Sequence, residues 1–339
     1  MAIIGGFDLH RAQITVDYLD TETGEVRRGR IAPATRGSLR SWLAGLPAVR
    51  PAAFAVEACT GWRFVVEELR AAGIAAHLAE AADTMALRGP KRRAKTDRAD
   101  ARHLRQLLQR GALPESWIPP EQVLEARTRI RLYKALVDER TAWQQRIKAA
   151  LFHHGVPPVK DLLTVEGRAH LEQAELSLAA RATVKVGLRA IARIDEELRP
   201  LRTEFAALAS RQPGCRALDA LYGVGSVIAV AIWAELGDCR RFSSSRDAVR
   251  HTGLDVTVHA SDDQRARGHL ARQGPPVLRW ALVEAAKCAA RTTSPDHALY
   301  QSVAERIGAN RAAITVARKL TRRAHHILRS LGDDAMAAA

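Results

Sequence analysis

The first 113 residues alternate between strand-like and helix-like segments, a pattern satisfied by a sheet covered with helices. IIGGFDLHRAQITVDYL reads as a strand pair or one long strand around Asp8, and TETGEV as the turn that returns the chain into another strand. SLRSWLAGL is a helix, AAFAVEA an apolar strand carrying Glu57, GWRFVVEELRAAG a helix closed by Gly73, and IAAHLAE a further strand. A basic segment then leads into the helix TDRADARHLRQLLQRG, which ends at Gly111. Residues 1–113 are therefore expected to form a three-layered α/β domain.

LPESWIPP, residues 113–120, reads as a linker. Residues 121–209 read as long amphipathic helices broken near HHGVPP, a helical hairpin or coiled-coil arm that serves either oligomerisation or spacing. Residues 210–332 read as a small, mainly α domain in which GVG separates two helices and a polar loop, TGLDVTVHASDDQRARGHLARQGPP, precedes RWALVEAAKCAAR and NRAAITVARKLTRRAHHILRSL. No internal repeat is present.

The charge balance is the unusual part of the composition: 52 Lys+Arg against 37 Asp+Glu, a formal net charge of +15. Basic faces bind polyanions by releasing their condensed counterions, so nucleic acid is the expected partner. A GC-rich genome that favours Arg and Ala codons is the other explanation. The four cysteines (Cys59, Cys215, Cys239, Cys288) contain no CxxC pair, which argues against a zinc site or a disulfide framework and fits a reducing cytoplasm. MAIIGGFDLH has no cationic segment before its interrupted apolar run and does not resemble a signal peptide. The longest apolar run, VIAVAIWAEL, is short of the about 20 residues needed to span a bilayer, so a soluble protein is expected.

Against this basic background the carboxylates are informative. Asp97 and Asp100 lie three residues apart, which on a helix puts them on one face with Cβ atoms about 5–6 Å apart, where like charges repel. One reading is that Asp97 simply pairs with Lys95, Arg98 or Arg102 on a solvated helix face. Glu57, inside the run AFAVEAC, weighs against that reading, because a buried acid must be paired or metal-bound. Asp8, Glu57 and the pair Asp97 and Asp100 come from three separate elements that could meet at the strand ends of one sheet. Such a hard oxygen set suits Mg²⁺ or Mn²⁺, in a pair that would clamp the two oxygens of a phosphoryl displacement.

FDLH around Asp8, VEACTGW around Glu57 and KTDRADA around Asp97 and Asp100 resemble the four-acid DEDD signature of the RuvC-like, RNase H-fold domain in insertion-sequence transposases of the one-ten family, the bridge-RNA-guided recombinases. YGVGSVIAVAIWAELGD, RFSSSRDAVRHTGL and LRWALVEAA resemble the C-terminal transposase domain of that family. The resemblance covers nearly the whole chain with its motifs in order. It implies a transposase that cuts and rejoins donor and target DNA with Mg²⁺ or Mn²⁺, is guided by a noncoding bridge RNA, and works as a dimer or tetramer in the cytoplasm, at the nucleoid. It also implies that a serine after the GL pair is the nucleophile. That serine is Ser261, followed here by Asp262 and Asp263 where the family commonly has glycines. Family members are thought to bring serine and carboxylates together across protomers.

A serine hydroxyl needs a base or a metal to become a good nucleophile. Without the family match, Ser261 would read as a turn or cap residue, and a hydrolytic nuclease or a non-catalytic nucleic-acid scaffold would be the competing functions. Ser243, Ser244 and Ser245 read as the cap before SRDAVRHTG. Candidate phosphate contacts are Lys91, Arg92, Arg93, Lys95 and Arg98 in the first domain, Arg265, Arg267 and Arg272 around Ser261, and Arg311, Arg318, Lys319, Arg322, Arg323 and Arg329 on the last helix, an unbalanced basic face with no acid between them. The GVG turn at Gly223–Gly225 resembles a helix-hairpin-helix or is a plain tight turn.

Overall fold

A computed structural model describes residues 2–46, 51–87, 96–256, 260–261, 264–265, 270–271 and 273–337, with the side chains of 260, 261, 264 and 265 not described. The chain divides into two compact units, Met1–Ile118 and Pro119–Ala339.

The first unit contains β1 (Ile3–Leu9), β2 (Ile14–Asp20), β3 (Val26–Ile31), α1 (Arg36–Ala44), β4 (Ala52–Glu57), α2 (Trp62–Ala71), β5 (Ala75–Ala79), α3 (Ala81–Ala86) and α4 (Asp97–Gln109). The strands form one sheet in the order β3-β2-β1-β4-β5; β2 runs antiparallel to both its neighbours, β1 and β3, whereas β1, β4 and β5 run parallel. Side chains alternate between faces along each strand, and this sorts the core. On one face Phe7 stacks on Phe54 at 4.7 Å between ring centroids, and Trp42 of α1 meets both rings edge-on. The opposite face is covered by α4.

Two glycines make the sheet thin at its centre. A Cβ on Gly5 would lie 2.1 Å from the Phe54 ring, and one on Gly6 would lie 2.3 Å from the Ala101 carbonyl oxygen of α4. With no side chain at Gly6, the helix rests directly on the β1 backbone. Asp17 of β2, 1 % exposed, ties the helix down: Arg105 of α4, 6 % exposed, donates to it at 2.5 Å, and Arg28 of β3 donates at 2.9 Å.

The expected linker is partly structural. Residues 114–116 run along β5, with Glu115 bridged to Ala79, and Ser116 N–H donating to the Leu78 carbonyl. The short helix α3 was not anticipated from the sequence.

The second unit opens with α5 (Glu121–His153), α6 (Val165–Gln173) and α7 (Leu178–Arg211). The expected hairpin of long helices is present, with one correction: the break near HHGVPP is not the only one, since α6 ends at Gln173 and α7 starts afresh after Ser177, whose side chain accepts from Ala180 N–H. α5 and α7 run antiparallel: Arg140 pairs with Asp195, and Gly187 lets Ile147 come close. Their outer part closes on a core of Ile147, Leu151, Leu162, Leu171, Val184 and Ile191. Further along α5, Arg127 donates to the Ala234 carbonyl, and Arg127 and Arg131 neutralise the buried Glu235.

Then follow α8 (Pro213–Asp219), α9 (Ser226–Leu236), α10 (Ser245–Thr252), the two-residue strands β6 (Ala260–Ser261) and β7 (Gln264–Arg265), α11 (Pro276–Lys287), α12 (His297–Ile307) and α13 (Ala309–Ser330). α12 had no counterpart in the sequence reading. Ser244 is the N-cap of α10 in a full capping box with Asp247, as its position before SRDAVRHTG predicts. The GVG turn packs inward at Gly223 (φ +83°), where a Cβ would lie 2.5 Å from the Ala285 carbonyl. Among the described residues no helix is long and apolar enough to cross a membrane.

Candidate metal and nucleic-acid site

Asp8 is the penultimate residue of β1 and Glu57 the last of β4. These strands are parallel with Phe7 beside Val56, so the next position along brings Asp8 beside Glu57. Both follow, by two residues, a position on the α4 face: Gly6 precedes Asp8, and Ala55, which packs with Leu104 of α4, precedes Glu57. The two acids thus share that face at the carboxyl ends of adjacent strands.

α4 supplies the other two. Thr96 caps it, its hydroxyl accepting from Ala99 N–H at 3.2 Å, and Asp97 and Asp100 occupy the first turn, where the positive end of the helix dipole favours carboxylates. His10, just beyond β1, bridges the groups: its Nε2 lies 3.1 Å from Asp8 Oδ2 and 3.5 Å from Asp97 Oδ1. Gln13 donates to Asp97 Oδ2 at 3.3 Å. Asp8, His10 and Asp97 each present a ligand atom, all within 4.8 Å of one another. Among the described residues the arginines suggested as partners for Asp97 point elsewhere: Arg102 faces Asp17 at 3.9 Å, and Arg98 is exposed. Lys95 lies outside the described residues.

The electrostatics follow from this crowding. Burial raises the Asp8 carboxyl from 3.8 to about 6; His10 opposes the rise, and Asp100 and Asp97 add to it. The Cys59 thiol is pushed up by burial and by the fields of Glu57 and Asp8. All four acids foreseen in the sequence therefore bear on one end of the sheet. His10 was missed; its signal was the spacing in FDLH, two residues after Asp8.

The raised Asp8 value has a thermodynamic consequence in chelator. A carboxyl whose folded pKa exceeds its unfolded one favours the fold while protonated, so stability falls as pH rises from about 4 to about 6 and stays reduced above. Asp8→Asn removes this penalty. Denaturant unfolding in chelator should show the variant more stable than the parent by about 1–3 kcal/mol at pH 7.5, with the gap closing toward pH 4; an equal or lower stability at pH 7.5 would refute the assignment.

Two family models match the chain. The DEDD transposase model of the IS110 type matches residues 5–154, and that of the transposase IS116/IS110/IS902 family matches residues 215–301. The chain belongs to this transposase family. It is 25 % identical over 340 residues, 94 % of both chains, to a probable family 20 transposase of Pseudomonas aeruginosa. It is also 25 % identical to the transposase for insertion sequence element IS1328 of Yersinia enterocolitica, covering 83 % of this chain and 82 % of the other, and to that for IS1111A of Coxiella burnetii, covering 66 % and 64 %.

In this IS110-type transposase the remaining candidate residues lie as follows. Ser261 ends β6, directly before the two-residue connection to β7, with Ala260 paired to Arg265 and Ser261 to Gln264. The polar loop expected there thus contains a short hairpin. Lys91, Arg92, Arg93, Arg267 and Arg272 lie outside the described residues, as does the side chain of Arg265. On α13 the expected unbalanced basic face is corrected: its acid comes from another element. Asp296, 3 % exposed and just before α12, pairs with Lys319 at 2.8 Å and with Arg323 at 2.5 and 3.1 Å. Arg318 donates to the Leu254 carbonyl and Arg329 to that of Phe242. Arg311 and Arg322 remain exposed on α13.

Proposed function

We propose that this transposase cuts and rejoins DNA strands at the acid site, with Ser261 as nucleophile and divalent ions, Mg²⁺ or Mn²⁺, held by Asp8, Glu57, Asp97 and Asp100. The observation that carries the reading is the cluster of Asp8, His10 and Asp97, with ligand atoms within 4.8 Å of one another, beside Glu57 on the next strand and Asp100 in the same helical turn, around an Asp8 carboxyl pushed up to about 6; such a cluster needs positive charge to ionise fully. The donor set fits such an ion: hard carboxylate oxygens dominate, with the His10 imidazole beside them. Bound there, the ions would polarise the phosphoryl oxygens and offset the charge that develops during attack. The sheet order, three antiparallel strands extended by two parallel ones, supports an RNase H-like domain.

Gln13 holds Asp97 in orientation, and His10 sits between Asp8 and Asp97. Ser261 passes its hydroxyl proton to solvent, its oxygen bonds to phosphorus, and the bond from phosphorus to one sugar oxygen breaks, that oxygen leaving with the electron pair and taking up a proton from solvent to become a free hydroxyl. The resulting phosphoserine conserves the phosphodiester energy for rejoining to a second DNA. Copies of the chain assemble as a dimer or tetramer in which serine and carboxylates meet across protomers, with α5 and α7 as the arm, and a bridge RNA pairs with donor and target DNA. The basic runs Lys91–Lys95, Arg265–Arg272 and Arg322 contact the nucleic-acid backbone.

The test uses purified protein with Mg²⁺, labelled element-end DNA and the flanking noncoding RNA. A protein–DNA adduct on denaturing gels is expected for the parent and absent for Ser261→Ala. Free cleaved ends from both proteins would mean that water attacks and that the enzyme is a hydrolytic nuclease.

A further inference from the structure

The sheet edge beside the acid site carries arginines that the core does not require. β3 reads VRRGRI and is exposed throughout except at Ile31. Arg28 lies opposite Asp17, and Arg30 opposite Thr15, which itself lies opposite Asp8. One rung of the sheet therefore runs Arg30, Thr15, Asp8, on the face that α4 covers. Between this edge and the first turn of α4 opens a groove of about 300 Å³, lined by Val16, Asp17, Arg28, Gly29, Arg30 and Arg98.

Three observations give the groove an occupant. Its one lining acid, Asp17, is already shared by Arg28, Arg102 and Arg105, while Arg30 and Arg98 form no ion pair with a described acid, so the groove is electropositive. Two hydrogen bonds join it to the acid site: Arg30 Nη1 donates to Gln13 Oε1 at 3.3 Å, and Gln13 Nε2 donates to Asp97 Oδ2 at 3.3 Å. The Thr15 hydroxyl, between Arg30 and Asp8, is buried without a hydrogen-bond partner.

We infer that this groove binds a backbone phosphate of the DNA strand cut at the acid site, flanking the scissile phosphate, with Arg30 and Arg98 as its charge partners. Guanidinium forks match phosphate oxygens in pairs and hold them at a fixed angle, which suits positioning a strand for cutting. Gln13 then couples the two sites, since the side chain that receives Arg30 also orients Asp97. The inference rests on the acid site being where the strand is cut.

The test is a phosphate-neutralisation scan. Each phosphate of a short element-end DNA strand is replaced in turn by methylphosphonate, and binding is measured for the full-length parent and for Arg30→Ala/Arg98→Ala. Arg28 is left in place because it pairs with Asp17. For the parent, neutralising one phosphate near the cut should weaken binding about tenfold or more. In the double variant that position should become silent while the others keep their effects. A scan unchanged by the double variant, or weakened equally at every position, overturns the inference; a silent position found only in an RNA strand overturns the DNA assignment. Both side chains are exposed, so thermal unfolding should match the parent; Arg30→Gln/Arg98→Gln repeats the scan if it does not. Asp97→Asn separates the two readings: if it is inactive while the double variant retains the full scan, only the groove fails, and if it cuts normally, the acid-site reading fails.

Discussion

Asp97→Asn is expected to lower DNA cutting by on the order of a hundredfold to a thousandfold, the loss typical when a preorganised group that balances transition-state charge is removed. The amide keeps the size of the side chain and can still meet Gln13 and His10, so the fold should survive. What disappears is the negative charge between His10 and the first turn of α4. Titration calorimetry with Mn²⁺ should show weakened binding alongside the lost cutting. Calorimetric binding within twofold of the parent, or cutting within tenfold, would remove Asp97 from the proposed ligand set. The comparison must be made in chelator as well, where the variant should be at least as stable as the parent, because one of the charges that disfavours ionised Asp8 is gone.

Asp17→Ala is expected to act through the fold. It would leave the Arg105 guanidinium, 6 % exposed, without its carboxylate under α4. Breaking a buried pair from one side costs roughly 3–5 kcal/mol, whereas replacing both partners by apolar groups is often neutral. Denaturant unfolding should therefore show a large loss for Asp17→Ala and a much smaller one for Asp17→Leu/Arg105→Met. A single-variant loss under about 1 kcal/mol would mean that water or Arg105 rearrangement satisfies the site. Because α4 carries Asp97 and Asp100, hydrogen exchange along Asp97–Gln109 should rise together with the loss of cutting.

Much of the first unit could be read from the chain because its signals are local. The apolar strands around Asp8 and Glu57 and the Thr96 cap of α4 each announce themselves within a few residues, and the structure brings Asp8 and Asp97 together around His10, with Glu57 on the strand beside Asp8 and Asp100 in the same helical turn as Asp97. His10 was not legible because a histidine after a strand becomes a bridge only once α4 brings Asp97 to it. α3, six residues long, is too short to carry a periodicity. The start of α7 was available in Ser177 but was masked by helix-forming residues on both sides. The pairing of Lys319 and Arg323 was invisible for a different reason: Asp296 lies more than twenty positions upstream, and only the packing of α12 on α13 brings the charges together. Charge counted along a helix says nothing about acids donated from elsewhere.

The two rims of the sheet are closed by different means. Residues 114–116 of the chain itself occupy the β5 side, whereas among the described residues β3 has no strand beyond it and presents Arg27, Arg28 and Arg30 instead. Two copies approaching rim to rim would bring these guanidinium groups within a strand spacing of about 4.8 Å, where like charges repel. Extension of the sheet at this rim is thereby disfavoured as a route to self-association.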